Sequence, residues 1–530
     1  MRNADLDVLP RLYRSDAVRA IERVAMDRYD LDEDDLMARA GLAAWRLLLD
    51  RWPDAQRIGI VCGPGNNGGD GYVLAELARA SGRQVQVLRL DDAVKPGPGA
   101  RAAEAYRQAG GAIATYRSGD AWPYADVWVD ALFGIGLHRA LDGIAAQCVA
   151  ALNRDNASPV FSLDIPSGVD ADSGHHDGAV RATLTLSFIC GKPGLYTGRG
   201  RTAAGEVAID RLGLHDEVYE DLQPAARVAN ADALAHWFRP RVRDAHKGRC
   251  GRVLCVGGDH GYGGALALCV EAAHRAGAGL VSAATRAEHV PVLLTRRPEC
   301  MARAVDDREA LQPLLDEADV VAIGPGLGRS EWSAGLLDAV LAAKKPCVID
   351  ADALNLLMRR DAQTLDRAVI TPHPGEAARL LVTDGREIER DRFAAAQRLA
   401  ARFGCAVVLK GAGTVVTAPD DIPVVIDAGN PGMASGGMGD ALTGILAALW
   451  AQYGDTQSSA RNTAQNLAQD AAQNVEHAVA HPASSYAIAV CGALLHSAAA
   501  DAAARDGGER GLLASDLFAH VRRLANPVKA

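Results

Sequence analysis

Residues 57–71 read Arg57-Ile58-Gly59-Ile60-Val61-Cys62-Gly63-Pro64-Gly65-Asn66-Asn67-Gly68-Gly69-Asp70-Gly71. The first six are a short apolar run suited to a buried strand, GPGNNGGDG is a loop nearly devoid of side chains, and Tyr72-Val73-Leu74-Ala75-Glu76-Leu77-Ala78 has the composition of a helix. A glycine loop at a helix N-terminus lets backbone N–H groups and the positive end of the helix dipole approach an anion closely. The unit sets the fold class as α/β and marks a place to hold phosphate.

Working outward, apolar runs suited to buried parallel strands recur at 85–90, 127–129, 160–163 and 184–189, and helix-compatible alanine-rich segments separate most of them. A polar, helix-compatible stretch, 15–50, precedes them. The alternation predicts a doubly wound α/β sheet whose domain ends near Leu214. A charged, pattern-poor connection at 215–243 follows, and the alternation restarts at 252–256, 280–284, 320–323, 347–349, 368–370 and 406–409. The reading is two domains, 1–220 and 228–530, the second with a polar Ala/Gln/Asn-rich insertion at about 456–483.

A chain of 530 residues exceeds what one core organises. Its net charge of -10 argues against general nucleic-acid binding. The start, MRNADLDVLPRLYR, lacks the apolar stretch of a secretory signal, and no run of ~18 apolar residues stands out, so no membrane span and a cytoplasmic address are expected. Ten scattered cysteines without CxxC pairs suit reduced, buried thiols.

Gly63-Pro64-Gly65-Asn66-Asn67-Gly68 matches G-x-G-x-x-G, and Asp91 sits where a ribose-binding acid would follow, which taken alone suggests a dinucleotide site of a dehydrogenase. The two asparagines and Asp70 crowd polar atoms into a turn that needs only backbone, which points to chemistry or cation binding. Asp130, in VDALFGIGL, and Asp164, in LDIPSGVD, stand at the ends of successive strands. In a parallel sheet these ends share one edge, so Asn67, Asp130 and Ser167 are placed to supply oxygen ligands to a hard cation, leaving Asp164 for acid–base work. Each carboxylate taken singly also suits capping or turn formation.

Together GPGNNGGDG, VDALFGIGL and LDIPSGVD, with LMARAG at 36–41, resemble the NAD(P)HX epimerase domain of bifunctional NAD(P)H-hydrate repair enzymes, over roughly residues 12–215. The resemblance implies a Rossmann-like three-layer sandwich. It implies substrate contacts at Asn66, Asn67, Gly68, Gly69 and Asp70, at Gly134, Ile135, Gly136, Leu137, His138, Arg139 and Ala140, and at Asp164. Potassium at Asn67, Asp130 and Ser167 and proton handling by Asp164 are implied as well.

In the second half, glycine-rich loops follow strands at 257–264 and 324–328, and no G-x-x-x-x-G-K-[ST] occurs, so nucleotide chemistry of P-loop type is excluded. Ile370-Thr371-Pro372-His373-Pro374-Gly375-Glu376 places His and Glu on a proline-bracketed loop, and Lys410-Gly411-Ala412-Gly413-Thr414 begins at a strand end. Gly436-Gly437-Met438-Gly439-Asp440 offers an anion hole of backbone N–H groups beside a base, which is what phosphoryl transfer to a hydroxyl needs. His373 also reads as a loop histidine satisfied by backbone, and Asp440 as a helix N-cap.

GGMGD resembles the signature of ribokinase-like enzymes; with HKGRCGRV, GPGLG, IDADALN, TPHPGE and KGAGT it resembles ADP- or ATP-dependent NAD(P)H-hydrate dehydratase over about 240–450 and again at 488–504. The resemblance implies a ribokinase-like α/β domain in which Ala265, Gly326, His373 and Asp440 contact the hydrated nicotinamide. Lys410, Gly411, Ala412, Gly413, Thr414 and Gly439 would hold the adenine nucleotide, with Mg2+ accompanying ADP or ATP. The implied work is interconversion of R- and S-NADHX and NADPHX, with Asp164 moving protons, then phosphorylation of the S hydrate through Asp440 and loss of phosphate. A homo-oligomer is expected. A dehydrogenase, a vitamin or sugar kinase and a non-catalytic binding scaffold are the competing readings, and intact Asn67, Asp130, Asp164 and Ser167 weigh against the last.

Overall fold

The computed structural model describes residues 3–90, 96–137, 139–155, 157–238, 240–360, 364–455 and 483–526. Asp91, His138 and, except for Ala483, the 456–483 insertion lie outside the described residues. The chain divides into two compact units, Arg11–Ala226 and a second made of Met1–Pro10 with Arg227–Ala530.

In the first unit seven parallel strands, β1 (Arg57–Cys62), β2 (Gln84–Arg89), β3 (Ile113–Thr115), β4 (Val127–Ala131), β5 (Val160–Leu163), β6 (Leu184–Phe188) and β7 (Glu206–Asp210), lie in the order β3-β2-β1-β4-β5-β6-β7. This is a Rossmann-like, doubly wound sheet. The order reverses between β1 and β4, the crevice where such sheets bind ligands. Pleating sends Ile58, Ile60 and Cys62 into one core and Val61 into another with Trp128. Gly59 sits under the Trp128 ring, which a Cβ there would approach to 2.5 Å. The early polar stretch is two helices, Ser15–Tyr29 and Glu33–Arg51. Asp30 turns left-handed between them (φ 52°), and Asp32 and Asp35 form a capping box that starts the second.

In the second unit the strands are β8 (Ala226–Ala229), β9 (Arg252–Val256), β10 (Leu280–Thr285), β11 (Met301–Ala304), β12 (Val320–Ile323), β13 (Cys347–Ile349), β14 (Ala368–Ile370), β15 (Ala406–Leu409), β16 (Val415–Thr417) and β17 (Val424–Ile426). Their order is β8-β17-β16-β15-β14-β13-β12-β9-β10-β11, with only β16 antiparallel to its neighbours. This is the second α/β domain, a sheet parallel throughout except at β16.

Two expectations are corrected. The boundary of 1–220 gives way because Leu6 and Leu9 join the second unit's core, and the buried Arg227 guanidinium donates to the carbonyls of Asp7 (2.6 Å) and Leu9 and pairs with the Asp7 carboxylate (3.1 Å). The pattern-poor connection contains β8 and the helix Ala233–Trp237, whose Leu234 and Trp237 are core residues; the elements are too short to show periodicity.

The helix Ser485–Gly507 is long and apolar enough by composition to cross a bilayer, which the sequence reading missed because its apolar residues are mostly alanine. It is instead a core helix, nearly all of it buried. It meets the helix Met438–Tyr453 at Gly492, where a Cβ would lie 2.4 Å from Leu446 Cδ2. Met438–Tyr453 in turn meets the helix Gly263–Arg275 at Gly444, where a Cβ would stand 2.1 Å from the Cys269 carbonyl oxygen. Backbone cannot yield as a side chain does, so Gly444→Ala is expected to lower stability by about 1–3 kcal/mol, read from denaturant unfolding.

Candidate functional sites at the carboxyl edges of both sheets

The loops after β1 and β4 interlock. Gly63 N–H donates to Ala131 (3.0 Å), and a Cβ on Gly63 would fall 1.8 Å from the Leu132 carbonyl oxygen. Helix Asn66–Ala80 begins earlier than the sequence suggests, with Gly65 as its N-cap, so Asn66, Asn67, Gly68, Gly69 and Asp70 are its first turns and not a loop. Glycine makes this possible: a Cβ on Gly68 would be 2.1 Å from the Gly63 carbonyl oxygen, and one on Gly69 would be 2.4 Å from Met37.

Asp164 follows β5 with φ 63°, a left-handed conformation that non-glycine residues adopt at a cost. Its Oδ2 accepts from Ile135 N–H (3.0 Å) and its Oδ1 from Lys192 Nζ (2.7 Å). Lys192 is fully buried, and its ammonium also donates to Ser187 Oγ (3.0 Å) and the Phe188 carbonyl (2.7 Å), using all three N–H groups. A Cβ on Gly134 would lie 2.4 Å from Asp164 Oδ2, so the loop can close on the carboxylate only with glycine there. Of the expected substrate loop, Gly134 and Ile135 meet Asp164, and Gly136 and Leu137 continue the turn through Leu137 N–H to the Gly134 carbonyl (3.2 Å). Arg139 is exposed and pairs with Asp142 (2.6 Å), and Ala140 is exposed.

Asp70 is buried, and that burial, reinforced by the like charges of Asp164 and Glu22, pushes its carboxyl well above the ordinary range. Asp70 thus stands near a carboxylate, Asp164, that the Lys192 ammonium holds in place.

Asp130 is fully buried and accepts four hydrogen bonds, from Leu132 N–H (3.2 Å), Ser162 Oγ (2.8 Å), Ser167 N–H (2.9 Å) and Ser167 Oγ (2.6 Å). Burial raises its pKa against those bonds. Asn67 is 8% exposed, and both polar atoms of its amide are buried without a hydrogen-bond partner. An orphaned amide oxygen in a region of hard oxygen donors fits an alkali cation.

In the second unit Lys410 ends β15, and its N–H donates to the Pro372 carbonyl (2.9 Å), joining the KGAGT loop to TPHPGE. Its side chain turns to the buried Asp350, with Nζ 2.7 Å from Oδ1 and 3.8 Å from Glu376 Oε2. Asp350 ends β13, and its Oδ2 accepts from Thr443 Oγ1 (2.8 Å) on the helix that starts at Met438. Burial opposes both charges, yet the pair wins: Lys410 is held above the ordinary lysine value and Asp350 below the ordinary carboxylate value.

Gly437 (φ 90°) caps that helix, so Asp440 is its third residue and not its N-cap. Burial first, then the negative charge of Asp350, push Asp440 up to about 6 against the opposing pull of Lys410. A group poised there is ionised at neutral pH yet basic enough to take a hydroxyl proton.

His373 caps the helix Pro374–Leu381, its Nδ1 accepting from Gly375 N–H (3.0 Å) while Glu376 Oε2 accepts from His373 N–H (2.8 Å). The backbone-satisfied reading holds for Nδ1, and Nε2 of the half-exposed ring stands 3.6 Å from Glu376 Oε1. Burial and the charge of Lys410 lower its pKa, so the ring is neutral. Ala265 and Gly326 come together, a Cβ on Gly326 being 3.2 Å from Ala265 Cβ. Gly324 abuts Asp350, whose carbonyl oxygen a Cβ there would approach to 1.9 Å. In the loop of Lys410, Gly411, Ala412, Gly413 and Thr414, the buried Arg392 donates from Nη2 to the carbonyls of Leu409 (3.2 Å) and Lys410 (2.9 Å).

The sequence reading assigned nothing to Lys192, Asp350, Thr443 or Arg392. Asp350 carried the signal used for Asp130 and Asp164, a carboxylate directly after an apolar strand; Lys192 showed only as one lysine in Cys190-Gly191-Lys192-Pro193-Gly194.

Fold and sites define a class: a two-domain α/β protein with a lysine-paired carboxylate at the carboxyl edge of each sheet, Asp164 with Lys192 and Asp350 with Lys410. Residues 33–194 match the family model described as YjeF-related protein N-terminus, and residues 253–523 match that described as NAD(P)H-hydrate dehydratase. The chain is 43% identical over 518 residues to the bifunctional NAD(P)H-hydrate repair enzyme Nnr of Coxiella burnetii, covering 97% of this chain and 99% of that one. It is 43% identical over 530 residues to the enzyme of the same name from Escherichia coli K12, covering 99% and 96%. Among solved structures, an ADP/ATP-dependent NAD(P)H-hydrate dehydratase from Bacillus subtilis, co-crystallised with ATP/Mg2+, aligns with 56% of this chain and 96% of its own at 25% identity and TM-score 0.45.

The chain belongs to the bifunctional NAD(P)H-hydrate repair enzymes. It couples epimerisation of R- and S-NAD(P)HX to nucleotide-dependent dehydration of S-NAD(P)HX to NAD(P)H. The dehydrogenase, simple-kinase and scaffold readings fall with that finding.

Lys192→Met leaves the part-buried Asp164 carboxylate without its counter-charge. It is expected to cost about 3–5 kcal/mol in unfolding free energy, and to slow consumption of the R hydrate by about 10²-fold or more through misplacement of Asp164, read by chromatographic separation of the epimers.

Proposed function

We propose that Asp164 and Asp70 move the protons of epimerisation and that Asp440 is the base of dehydration. What carries the reading is the pairing in each cleft of a catalytic carboxyl with a lysine-compensated carboxylate: Asp70 with Asp164–Lys192, and Asp440 with Asp350–Lys410. In the first cleft Asp70, whose carboxyl burial raises, donates to the departing C6 hydroxyl, and Asp164 accepts from water as the C6–O bond re-forms on the other face. Asn66, Asn67, Gly68, Gly69, Gly134, Ile135, Gly136, Leu137, His138, Arg139 and Ala140 border the substrate in this reading. Asn67, Asp130 and Ser167 would hold potassium, which is supported by the orphaned Asn67 amide, and its charge would offset the substrate's pyrophosphate.

In the second cleft Asp440 takes the C6 hydroxyl proton while the oxygen attacks the terminal phosphorus of ADP, or of ATP, accompanied by Mg2+. Gly439 and the backbone of Lys410, Gly411, Ala412, Gly413 and Thr414 hold the nucleotide; Ala265, Gly326 and His373 border the hydrated nicotinamide. Each well-placed backbone donor to the transferred phosphoryl group contributes about 3 to 4 kcal/mol in comparable sites. The reading includes a cytoplasmic homo-oligomer, which the ten buried, unpaired thiols suit as regards compartment.

Recovery of NADH absorbance from an R/S mixture of hydrated NADH, with and without each nucleotide, tests the reading. Asp440→Asn is expected to abolish nucleotide-dependent recovery while R and S still interconvert; dehydration at a near wild-type rate would remove Asp440 from its role. Asp164→Ala is expected to slow R-to-S conversion and to leave consumption of purified S hydrate intact, and equal loss of both would contradict the division of labour.

A further inference from the structure

We propose that the Lys410 side chain serves the base Asp440 and not the nucleotide loop to which its backbone belongs: tethered by Asp350, its ammonium is the fixed positive charge of the phosphoryl-transfer site. The inference rests on the reading of Asp440 as base.

The geometry is specific. Lys410 stands first in the KGAGT loop, yet its Nζ lies 2.7 Å from Asp350 Oδ1 and only 3.4 Å from where a Cβ on Gly439 would sit. The same hypothetical Cβ would lie 3.3 Å from Asp350 Oδ2. Thr443 Oγ1 bonds both Asp350 Oδ2 (2.8 Å) and the Gly439 carbonyl (3.0 Å), locking the pair to the first turn of the helix that presents Asp440. The ammonium is therefore pinned against the peptide that carries the base.

The surroundings give this charge its function. Asp440 is faced by Asp350 from the end of β13, by Asp352 from the helix Ala351–Leu357 and by Lys410 from the end of β15. Lys410 also feels Glu376 from the helix Pro374–Leu381. The two histidines in its range, His373 and His496, are neutral; burial, with help from Lys410, pushes His496 down to about 4. Burial pushes the Glu376 carboxyl up. Among the described residues Lys410 is thus the cation set against the carboxylates that disfavour ionisation of Asp440. Removing it leaves a half-buried acid beside a buried anion, which stays protonated at neutral pH.

In the step it supports, the C6 hydroxyl proton passes to the Asp440 carboxylate, the hydroxyl oxygen bonds to the terminal phosphorus, and the bond from phosphorus to the bridging oxygen breaks. The electron pair departs on AMP when ADP is the donor, or on ADP when ATP is. Lys410 acts through Asp440 and is a positioning residue.

The test is the pH profile of dehydration of purified S-hydrated NADH by the full chain with Mg–ADP and with Mg–ATP, for wild type, Lys410→Met, Lys410→Gln and Lys410→Arg. Wild type loses kcat as pH falls through about 6, because the base is protonated there. In the uncharged variants that limb moves up by about 1–3 pH units, the usual effect of losing an opposite charge at this range, and kcat returns on the alkaline side. Lys410→Arg keeps the limb in place. An uncharged variant whose limb does not move, while only the nucleotide KM rises, would return Lys410 to the nucleotide loop and overturn the inference. Thermal melting and epimerisation of the same preparations report folding; if neither uncharged variant folds, an upward-displaced limb in Lys410→Arg overturns the inference and an unmoved limb supports it. A wild-type chain that dehydrates the hydrate with neither nucleotide would instead sink the underlying reading.

Discussion

Each domain sets a carboxylate, part-buried in one and buried in the other, after a parallel strand and compensates it with a single lysine, at 2.7 Å in both cases: Asp164 with Lys192 and Asp350 with Lys410. Desolvating an isolated carboxylate and an isolated ammonium costs several kcal/mol each, so neither survives without the other and without further hydrogen bonds. Those bonds are present. Lys192 also reaches Ser187 and the Phe188 carbonyl, and Asp350 also accepts from Thr443. The second carboxyl of each cleft, Asp70 or Asp440, is raised both by burial and by the neighbouring anion of the pair.

The pairs require close approach of backbone, and glycine supplies it where any Cβ would collide. Gly134 lets its loop lie on Asp164, Gly324 lets the loop after β12 lie on the Asp350 peptide, and Gly63 lets the loop after β1 cross the loop after β4. These glycines shape the clefts by packing as much as by exposing N–H groups to phosphate. The same holds for the first turns of the helix Asn66–Ala80, where Gly68 and Gly69 clear the Gly63 carbonyl and Met37 while Asn67 and Asp70 are buried into the cleft.

This explains what could be read from the sequence alone. The long apolar strands were legible because burial on both faces leaves an unbroken run, and β5, β9, β12, β13, β14 and β15 begin and end where their runs do. The strands missed, β3, β7, β8, β11, β16 and β17, are short or half-exposed, or carry polar residues, so no run marks them. Carboxylates at strand ends were visible as motifs. Their lysines were not, because a buried ammonium is defined by partners distant in sequence, 28 residues for Lys192 and 60 for Lys410. His373 shows the converse: its loop was legible, but the capping of Gly375 by Nδ1 emerges only once the helix exists.

The two clefts use the same device to different ends. In the first, the lysine binds directly the carboxylate proposed to handle the proton: Lys192 and Ile135 N–H hold both oxygens of Asp164 and fix its position. In the second, the lysine binds a neighbour, Asp350, and Asp440 forms no ion pair among the described residues. A carboxylate held by an ammonium is well oriented, whereas one left unpaired is free to turn toward a hydroxyl and take its proton without breaking a buried ion pair. Epimerisation demands control of the face from which oxygen leaves and returns, and phosphoryl transfer demands a base poised near neutrality, which is where Asp440 stands at about 6. One Asp–Lys arrangement, shifted by one carboxylate, would on the proposed reading yield an orienting group in one domain and a base in the other.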